Sequence, residues 1–377
     1  MKIIIASDSY KGSLSSLEVA KHIQVGAKKV FQDATFETIA MADGGEGTVD
    51  AMISSIGGEI KTVTVKDPLQ RDIQASFGIL KDSSAIIEMA AASGLPLVGQ
   101  DKDIYKASTY GTGQLIQAAL DNGCRTIYIG IGGSATNDGG IGMAKALGVQ
   151  FLDQNNQEIP CDAYSLSKIY SIDMTQLDSR LKDTNIIVMC DVDNPLCGEK
   201  GASAIYGPQK GATLEQVQYL DQGLDNLASV CMKTGLKNAK NVPGAGAAGG
   251  LGFGLMTFLN ATLAAGIDVV LKANHFEEKL NDASLVITGE GRIDYQSIHG
   301  KVPTGVGQFA KKKNIPTIAI VGCIGKDATL VYDYGVDTIE SCVYAPCQLE
   351  EALKNASSNV EQATERVLRA IQIGMKL

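Results

Sequence analysis

The chain has few of the residues from which zinc sites are built. Only three of its 377 residues are histidine, and its eight cysteines include no C-x-x-C pair. Because zinc sites need Cys and His ligands at short, regular spacings, the sequence offers no zinc site. Several cysteines fall in strand-like runs, where a free thiol packs as a small apolar group. We therefore expect a protein of the reducing cytoplasm.

The sequence is also short of positive charge and of targeting signals. With 33 Lys and Arg against 42 Asp and Glu, the net charge of −9 argues against a nucleic-acid or anionic-membrane partner. The first residues, Met1–Asp8, become polar too quickly for a signal peptide and predict a strand. Gly244–Ile267 is uncharged, but its seven glycines disfavour a membrane helix. We predict a glycine loop there, followed by a buried helix near Leu255–Ala265.

Familiar catalytic motifs are missing as well. The chain contains no G-x-x-x-x-G-K-[ST] phosphate loop and neither the H-R-D nor the D-F-G motif of protein kinases. A G-x-S-x-G nucleophile elbow is also absent. If this chain transfers phosphate, it must use a different set of loops.

Glycine is abundant instead, at 42 residues, and 45 % of the chain is hydrophobic. Short apolar runs alternate with amphipathic stretches, which indicates an α/β protein with mostly parallel sheets. Regular βα patterns at both chain ends predict a doubly wound domain of Rossmann or flavodoxin type from residues 1–65 and 275–377. Residues 66–274 are predicted to form a second α/β domain inserted between them.

The individual elements follow from the same patterns. The predicted strands are Ile3–Ala6, Thr38–Met41, Thr62–Val65, Ala85–Met89, Thr126–Ile131, Ile186–Met189, Leu285–Thr288, Thr317–Val321 and Thr338–Cys342. The predicted helices are Ser15–Val30, Thr48–Ile56, Thr112–Asn122, Ile141–Leu147, Leu214–Lys233, Val302–Lys312 and Leu349–Ile373.

The most informative loop follows the apolar run Thr126–Ile131. It carries Gly132, Gly133, Ser134, Asn137 and Asp138, and it leads into a predicted helix. Glycine-rich turns present backbone N–H groups, and a helix N-terminus adds positive potential, so this loop suits phosphate or carboxylate. Asp138 is a candidate ligand for the magnesium that accompanies phosphate. The alternative is a tight strand-to-helix turn with no ligand.

Two more strand exits near the N-terminus combine glycine with charge. In the first, Asp8 and Lys11 precede hydroxyl side chains that include Ser13. Lys11 is a candidate phosphate contact there, or else a solvated lysine in a capped turn. In the second, Asp43 and Glu46 enclose two glycines and are candidates for binding a metal or accepting a proton.

Two later strand exits are also acidic. Asp191 and Asp193 follow a strongly apolar strand, where a carboxylate needs a metal or a cationic partner; Lys200 and Lys210 lie downstream and could supply the cation. The exit after Val286 carries Glu290, Arg292, Asp294 and Lys301. In open α/β sheets ligands bind just beyond the carboxyl ends of the strands, so these charges lie where a ligand is expected.

Pro243–Gly250 matches G-x-G-x-x-G by letter, but no convincing strand precedes it, so we reject a dinucleotide site. Either a close backbone approach to a ligand or tight packing of a helix against its neighbour explains these glycines.

Taken in order, these loops resemble the bacterial glycerate kinases of glycerate and glyoxylate catabolism. The motifs that carry the resemblance are Asp8-Ser-Tyr-Lys-Gly-Ser-Leu14, Met41-Ala-Asp-Gly-Gly-Glu-Gly-Thr48, Gly132-Gly-Ser-Ala-Thr-Asn-Asp-Gly-Gly140, Cys190-Asp-Val-Asp-Asn-Pro-Leu196, Tyr206-Gly-Pro-Gln-Lys-Gly211, Pro243–Gly250 and Ile287-Thr-Gly-Glu-Gly-Arg292. Tyr10 stands where relatives often have Phe. Each motif is weak alone, and seven in order make a specific match.

The resemblance implies phosphorylation of D-glycerate by ATP with Mg²⁺, in a two-domain α/β enzyme whose cleft holds the substrates. It favours 2-phosphoglycerate as the product over 3-phosphoglycerate, and a homodimer is compatible with it. The remaining alternatives are a kinase or phosphatase acting on another small hydroxy acid, a non-enzymatic sensor of a sugar acid or nucleotide and, more distantly, an NAD-dependent dehydrogenase.

Roles can be assigned within that resemblance as hypotheses. Asp191, Asp43 and Lys11 are the expected catalytic residues, and Asp191, Asp193 and Asp138 the expected metal ligands. The expected substrate- and nucleotide-binding residues are Asp8, Ser13, Gly44, Gly45, Gly132, Gly133, Ser134, Asn137, Glu290, Arg292 and Lys301. Among these, Arg292 and Lys301 would bind the glycerate carboxylate or a phosphate.

Overall fold

A computed structural model describes residues 1–42 and 44–376. The chain folds into two compact units. Unit 1 contains residues 1–42, 50–56 and 265–376, so both described ends of the chain lie in it. Unit 2 contains residues 44–49 and 57–264.

Thirteen strands are found in the described chain. They are β1 (Lys2–Ser7), β2 (Thr35–Thr38), β3 (Gly58–Lys66), β4 (Asp72–Leu80), β5 (Ala85–Glu88), β6 (Thr126–Gly130), β7 (Gln150–Leu152), β8 (Ser171–Asp173), β9 (Asn185–Met189), β10 (Thr262–Ala264), β11 (Leu285–Ile293), β12 (Thr317–Ile324) and β13 (Thr338–Ser341).

Fourteen α-helices are found in the same residues. They are α1 (Ser16–Lys28), α2 (Thr48–Ile56), α3 (Ala90–Ser93), α4 (Leu95–Val98), α5 (Tyr110–Asp121), α6 (Ile141–Ala146), α7 (Ala202–Tyr206), α8 (Leu214–Lys233), α9 (Ala247–Phe258), α10 (Gly266–Ala273), α11 (Phe276–Lys279), α12 (Val302–Lys312), α13 (Leu349–Lys354) and α14 (Ala356–Gly374). No helix among them is long and apolar enough to cross a membrane.

The sheet of unit 1 has five parallel strands in the order β13-β12-β11-β1-β2. Its central strands are buried on both faces, which is why β1 is a continuous run of Ile and Ala rather than an alternating one. Numbered within the unit, the order is 2-1-3-4-5, that of a doubly wound flavodoxin-like sheet. The order reverses between β1 and β11, and a ligand is expected beyond the carboxyl ends of these two strands.

The sheet of unit 2 has six strands in the order β10-β9-β6-β5-β4-β3. The first four are parallel, whereas β4 and β3 run antiparallel to their neighbours. The hydrophobic core of unit 2 contains the fully buried side chains of Phe77, Phe151 and Phe253. The predicted α/β class, with parallel and mixed sheets, is confirmed.

The predicted domain boundaries differ from the two units at three places, the first being residues 44–49, which were assigned to the domain of the chain ends and lie in unit 2. Residues 57–65 were assigned to the domain of the chain ends, but β3 pairs with β4 along its whole length and so belongs to unit 2. Residues 265–274, assigned to the inserted domain, form α10 in unit 1. β4 was not predicted, because its apolar residues are interrupted by polar ones rather than forming a continuous run.

Other elements differ in extent from their predictions. The strand predicted at Thr38–Met41 lies earlier, at β2, and the strand predicted at Leu285–Thr288 continues to Ile293. The helix predicted at Leu349–Ile373 divides into α13 and α14 at Asn355. The buried helix predicted near Leu255–Ala265 begins earlier, as α9, and β10 follows it.

Candidate active site

Unit 1 contains a cavity of about 540 Å³ at the point where its strand order reverses. The segment that follows β1 forms one side, and the end of β11 with the turn after it forms another. The cavity therefore lies where ligands bind in doubly wound sheets. Its walls include six of the predicted site residues, which the fold brings together from distant parts of the sequence: Asp8, Lys11, Ser13, Glu290, Arg292 and Lys301.

The segment after β1 brings a cation and a hydroxyl group to this cavity. Ser15, not Ser13, caps α1, and it forms a capping box with Glu18. The Ser13 side chain is therefore left for another role: its Oγ atom is buried and has no hydrogen-bond partner among the described residues. Lys11 is exposed on the same loop. A buried hydroxyl group without a partner, beside a cation, is suited to an anionic ligand.

Glu290 is a buried carboxylic acid at the edge of this cavity, only 8 % exposed. It accepts a hydrogen bond of 2.6 Å from the Ser297 hydroxyl group. Burial raises the pKa of Glu290 from 4.5 to about 7, and the neighbouring Asp8 and Asp294 act in the same direction, against Ser297 and Lys301. At neutral pH the group is therefore poised between its neutral and charged forms.

This pKa makes Glu290 a source of pH-dependent stability. Between about pH 4.5 and 7 the folded protein holds a proton on Glu290 that the unfolded chain has released. The free energy of unfolding therefore falls as the pH rises through this range, and the loss is complete above pH 7. We expect Glu290→Gln, which keeps an acceptor for Ser297, to raise the free energy of unfolding at pH 8 by on the order of 1–3 kcal/mol and to change it little at pH 4.5.

Urea unfolding at the two pH values measures the difference. Glu350→Gln makes the same chemical change at an exposed position of α13 and is the control. An equal effect of Glu290→Gln at both pH values would contradict the assignment.

Unit 2 presents a second group of predicted residues at the carboxyl ends of β6 and β9. These strands are parallel neighbours, with Gly130 opposite Met189. Gly44 has φ +86°, and a Cβ atom there would lie 2.7 Å from the Met189 Cβ atom. A Cβ atom on Gly132 would in turn lie 3.3 Å from the Cα atom of Gly45. The Gly44–Gly45 and Gly132–Gly133 segments therefore meet at this edge, and the positive φ and short contact of Gly44 require glycine at that position.

Carboxylates stand at the same edge. Asp191 and Asp193 follow β9 by two and four residues, and both are exposed. Gly132 and Gly133 are exposed too, at the end of β6. This edge of unit 2 thus combines accessible backbone with carboxylate oxygens, which are the ligands that Mg²⁺ prefers.

Asp138 has a different environment from the one predicted. It is fully buried, and its carboxylate accepts four hydrogen bonds: from Thr109 N at 2.7 Å, Thr109 Oγ1 at 2.8 Å, Gly140 N at 3.1 Å and Gly142 N at 3.2 Å. Burial raises its pKa, and these donors oppose the shift. A carboxylate enclosed in this way holds the loop together, and the expectation that Asp138 binds magnesium is withdrawn.

Asn137 and Ser134 are also buried, at 0 % and 8 % exposure, and the contacts of these side chains with substrate stay a prediction. Asn137 Nδ2 donates to the hydroxyl group of Ser203 at 2.9 Å. Within this loop only Gly132 and Gly133 are exposed.

Lys210 was predicted only as a counter-charge for Asp191 and Asp193, and the structure places it elsewhere. Its side chain is 2 % exposed, and Nζ donates to the Thr136 carbonyl oxygen at 2.6 Å. Burial lowers its pKa from 10.5 to about 7, against the opposite effect of Asp138. Lys210 therefore stabilises the glycine-rich loop through its hydrogen bond to Thr136. Its position on a glycine turn did not indicate this role.

The Pro243–Gly250 segment packs against the same glycine-rich loop. Gly249 has φ +68°, and a Cβ atom there would lie 1.9 Å from the Thr136 carbonyl oxygen. Gly139 N donates to Gly249 O at 3.0 Å. Of the two explanations left open by the sequence, backbone packing against a neighbouring segment accounts for these glycines. Asp43, predicted as a catalytic residue, lies outside the described residues.

A charged cavity at the switch point of a doubly wound sheet is typical of α/β proteins that bind anionic ligands, and the exposed glycines and carboxylates at the edge of the second sheet are compatible with that class. Comparison with known proteins specifies the family. The family model described as "Glycerate kinase family" matches residues 3–372. The chain belongs to the glycerate kinase family, and the prediction that it is an enzyme of this class of phosphotransferases is confirmed.

Individual glycerate kinases are similar to this chain over nearly its whole length. It is 49 % identical to the glycerate 2-kinase of Escherichia coli K12, over 100 % of this chain and 99 % of the relative. It is 48 % identical to the glycerate kinase of Bacillus subtilis 168, over 99 % and 98 % of the two chains. A crystal structure assigned to glycerate kinase 2 of Salmonella typhimurium LT2 covers all of both chains, with 47 % identity and a TM-score of 0.91.

Proposed function

We propose that the protein transfers the γ-phosphoryl group of ATP to the 2-hydroxyl group of D-glycerate, giving 2-phosphoglycerate and ADP. The observation that carries the proposal is the set of exposed carboxylates and glycine N–H groups at the carboxyl edge of the unit 2 sheet, in a chain of the glycerate kinase family. The name of the Escherichia coli relative, glycerate 2-kinase, supports the 2-hydroxyl group over the 3-hydroxyl group.

The reaction needs a group that accepts the hydroxyl proton and groups that neutralise phosphate charge. Asp191 is proposed to accept the proton as the alcohol oxygen bonds to phosphorus and the bond from phosphorus to the ADP oxygen breaks. Asp43 is proposed to share this role or to bind metal. Gly132 and Gly133 N–H groups are proposed to bind phosphate oxygens, since both glycines are exposed.

Magnesium is the expected companion of ATP, and the carboxylates fit it. Mg²⁺ is usually held by one or two carboxylates together with substrate phosphates, so it needs no preformed cluster of ligands. No cluster of three His, Cys, Asp or Glu side chains suited to a metal occurs in the described residues. Asp191 and Asp193 would hold the ion, which neutralises phosphate charge when bound.

The charged residues of the unit 1 cavity are proposed to bind an anionic group of one substrate. Lys11, Arg292 and Lys301 supply three cations there, and Ser13 supplies a buried hydroxyl group. The anionic group is either a phosphate of ATP or the glycerate carboxylate.

The test is incubation of the full chain with ATP, Mg²⁺ and D-glycerate, followed by ³¹P NMR. We expect the signal of 2-phosphoglycerate, formed in equal amount with ADP. Formation of 3-phosphoglycerate would keep the reaction class and correct the product. ATP consumption with another hydroxy acid but not with glycerate would overturn the substrate, and glycerate binding with no ATP consumption would favour a sensor.

A further inference from the structure

The cavity of unit 1 has two chemically different sides. Its polar side carries Lys11, Ser13 and Arg292 near the carboxyl ends of β1 and β11, with Asp8 and Asp294 beside them. Arg292 is paired with Asp294 through a contact of 3.1 Å, yet its side chain remains 65 % exposed. A flexible, accessible cation beside a buried hydroxyl group without a partner suits a phosphate chain.

The part of the lining that comes from α13 and the start of α14 is mostly apolar, with Asn359 as its polar residue. None of the six residues of α13, all of them described, is buried. Leu349 and Leu353 lie four residues apart on one face of the helix, and both line the cavity together with Ala352. They are 73 % and 37 % exposed. Two exposed leucines on a cavity wall are suited to a flat apolar ligand group that would remove them from water.

The volume of the cavity favours one of the two substrates of the proposed reaction over the other. Cavities of about 300–1,000 Å³ enclose ligands of drug size, and this one measures about 540 Å³. Glycerate has only three carbons and no apolar face, so it would leave the leucines uncovered. A purine nucleotide combines a flat base with a chain of phosphates, and it matches both sides at once.

We propose that the unit 1 cavity is the nucleotide site, with the base of ATP against Leu349, Ala352 and Leu353 and its phosphates toward Lys11, Ser13 and Arg292. This assignment rests on the proposed use of ATP.

The first test places a charge on the apolar side. In Leu353→Asp a carboxylate faces the base, and its matched control is Lys354→Gln on the same helix, which changes the net charge by the same one unit outside the cavity lining. Binding of ATP is measured by displacement of a fluorescent methylanthraniloyl-ATP from the full chain, and binding of D-glycerate by calorimetry. We expect Leu353→Asp to weaken ATP at least about tenfold and to leave glycerate within about twofold, whereas the control changes neither.

The second test separates the two sides. Arg292→Gln removes a cation from the polar side, so we expect it to weaken ATP strongly and adenosine little. Leu353→Asp is expected to weaken ATP and adenosine by similar factors. Leu349→Asp, at a more exposed position, repeats the apolar test if Leu353→Asp fails to fold by circular dichroism.

The outcomes distinguish this proposal from the proposed function. If Leu353→Asp and Leu349→Asp weaken glycerate and not ATP, or weaken neither, the cavity is not the nucleotide site, although glycerate phosphorylation by the unchanged protein would stand. If the unchanged protein binds ATP in this cavity but phosphorylates no glycerate, the site is supported and the proposed function fails.

Discussion

Replacing Asp191 by Asn is expected to lower kcat for glycerate phosphorylation by about 10²–10⁴-fold, the usual contribution of a general base, and to leave the fold intact. The carboxylate is exposed, two residues beyond the end of β9, so the substitution is made outside the hydrophobic core. It stands at the sheet edge that also carries Gly44 and Gly132. The change from a carboxylate to an amide keeps the shape and removes the proton acceptor.

The dependence of the rate on magnesium separates the two roles open to Asp191. A proton acceptor affects kcat at every Mg²⁺ concentration, whereas a metal ligand also raises the Mg²⁺ concentration needed for half-maximal activity. Asp183→Asn is the matched control, since Asp183 is exposed just before the opposite end of the same strand. Wild-type kcat in Asp191→Asn, at saturating Mg²⁺, would remove Asp191 from the catalytic residues.

Replacing Asp138 by Asn is expected to destabilise the folded protein by about 3–5 kcal/mol, with or without magnesium. Four donors point at this buried carboxylate. An amide accepts through its oxygen only, so its NH₂ group would face donors that have no other partner. Lys210, buried nearby and influenced by the charge of Asp138, would also lose a compensating anion.

Urea unfolding measures this loss, again with Asp183→Asn as the exposed control. The double variant Asp138→Asn with Lys210→Met provides a second check. Because removing both charges leaves no uncompensated ion, its destabilisation should be smaller than the sum of the single effects. If Asp138→Asn unfolded like the unchanged protein and lost only Mg²⁺-dependent activity, the metal-binding role would be restored.

Local sequence signals predicted several elements to the residue. α8 and α12 begin and end at the predicted residues, because residues typical of helix N-termini mark the start of each helix. Thr213 and Gln216 form a capping box before α8, and Pro303 occupies the first turn of α12. The apolar runs of β1 and β9 were recognisable because strands buried on both faces need apolar residues throughout.

Other features could not be predicted from neighbours in the sequence. The alternating residues of β4 become a strand through pairing with β3 and β5. The division of the last predicted helix at Asn355 carries no Pro or Gly signal. For β4, pairing with its neighbouring strands outweighs the local preference.

The sequence by itself determined the class of fold, the glycine-rich loops at the strand ends and the resemblance to the glycerate kinase family. Only the tertiary structure decided which polar residues of those loops are buried and which are exposed. Asp138 and Asp191 both follow apolar strands, yet one is enclosed by Thr109, which lies 29 residues away, and the other is exposed. The physical reason is that burial of a carboxylate depends on donors brought from distant segments, which spacing along the chain does not record.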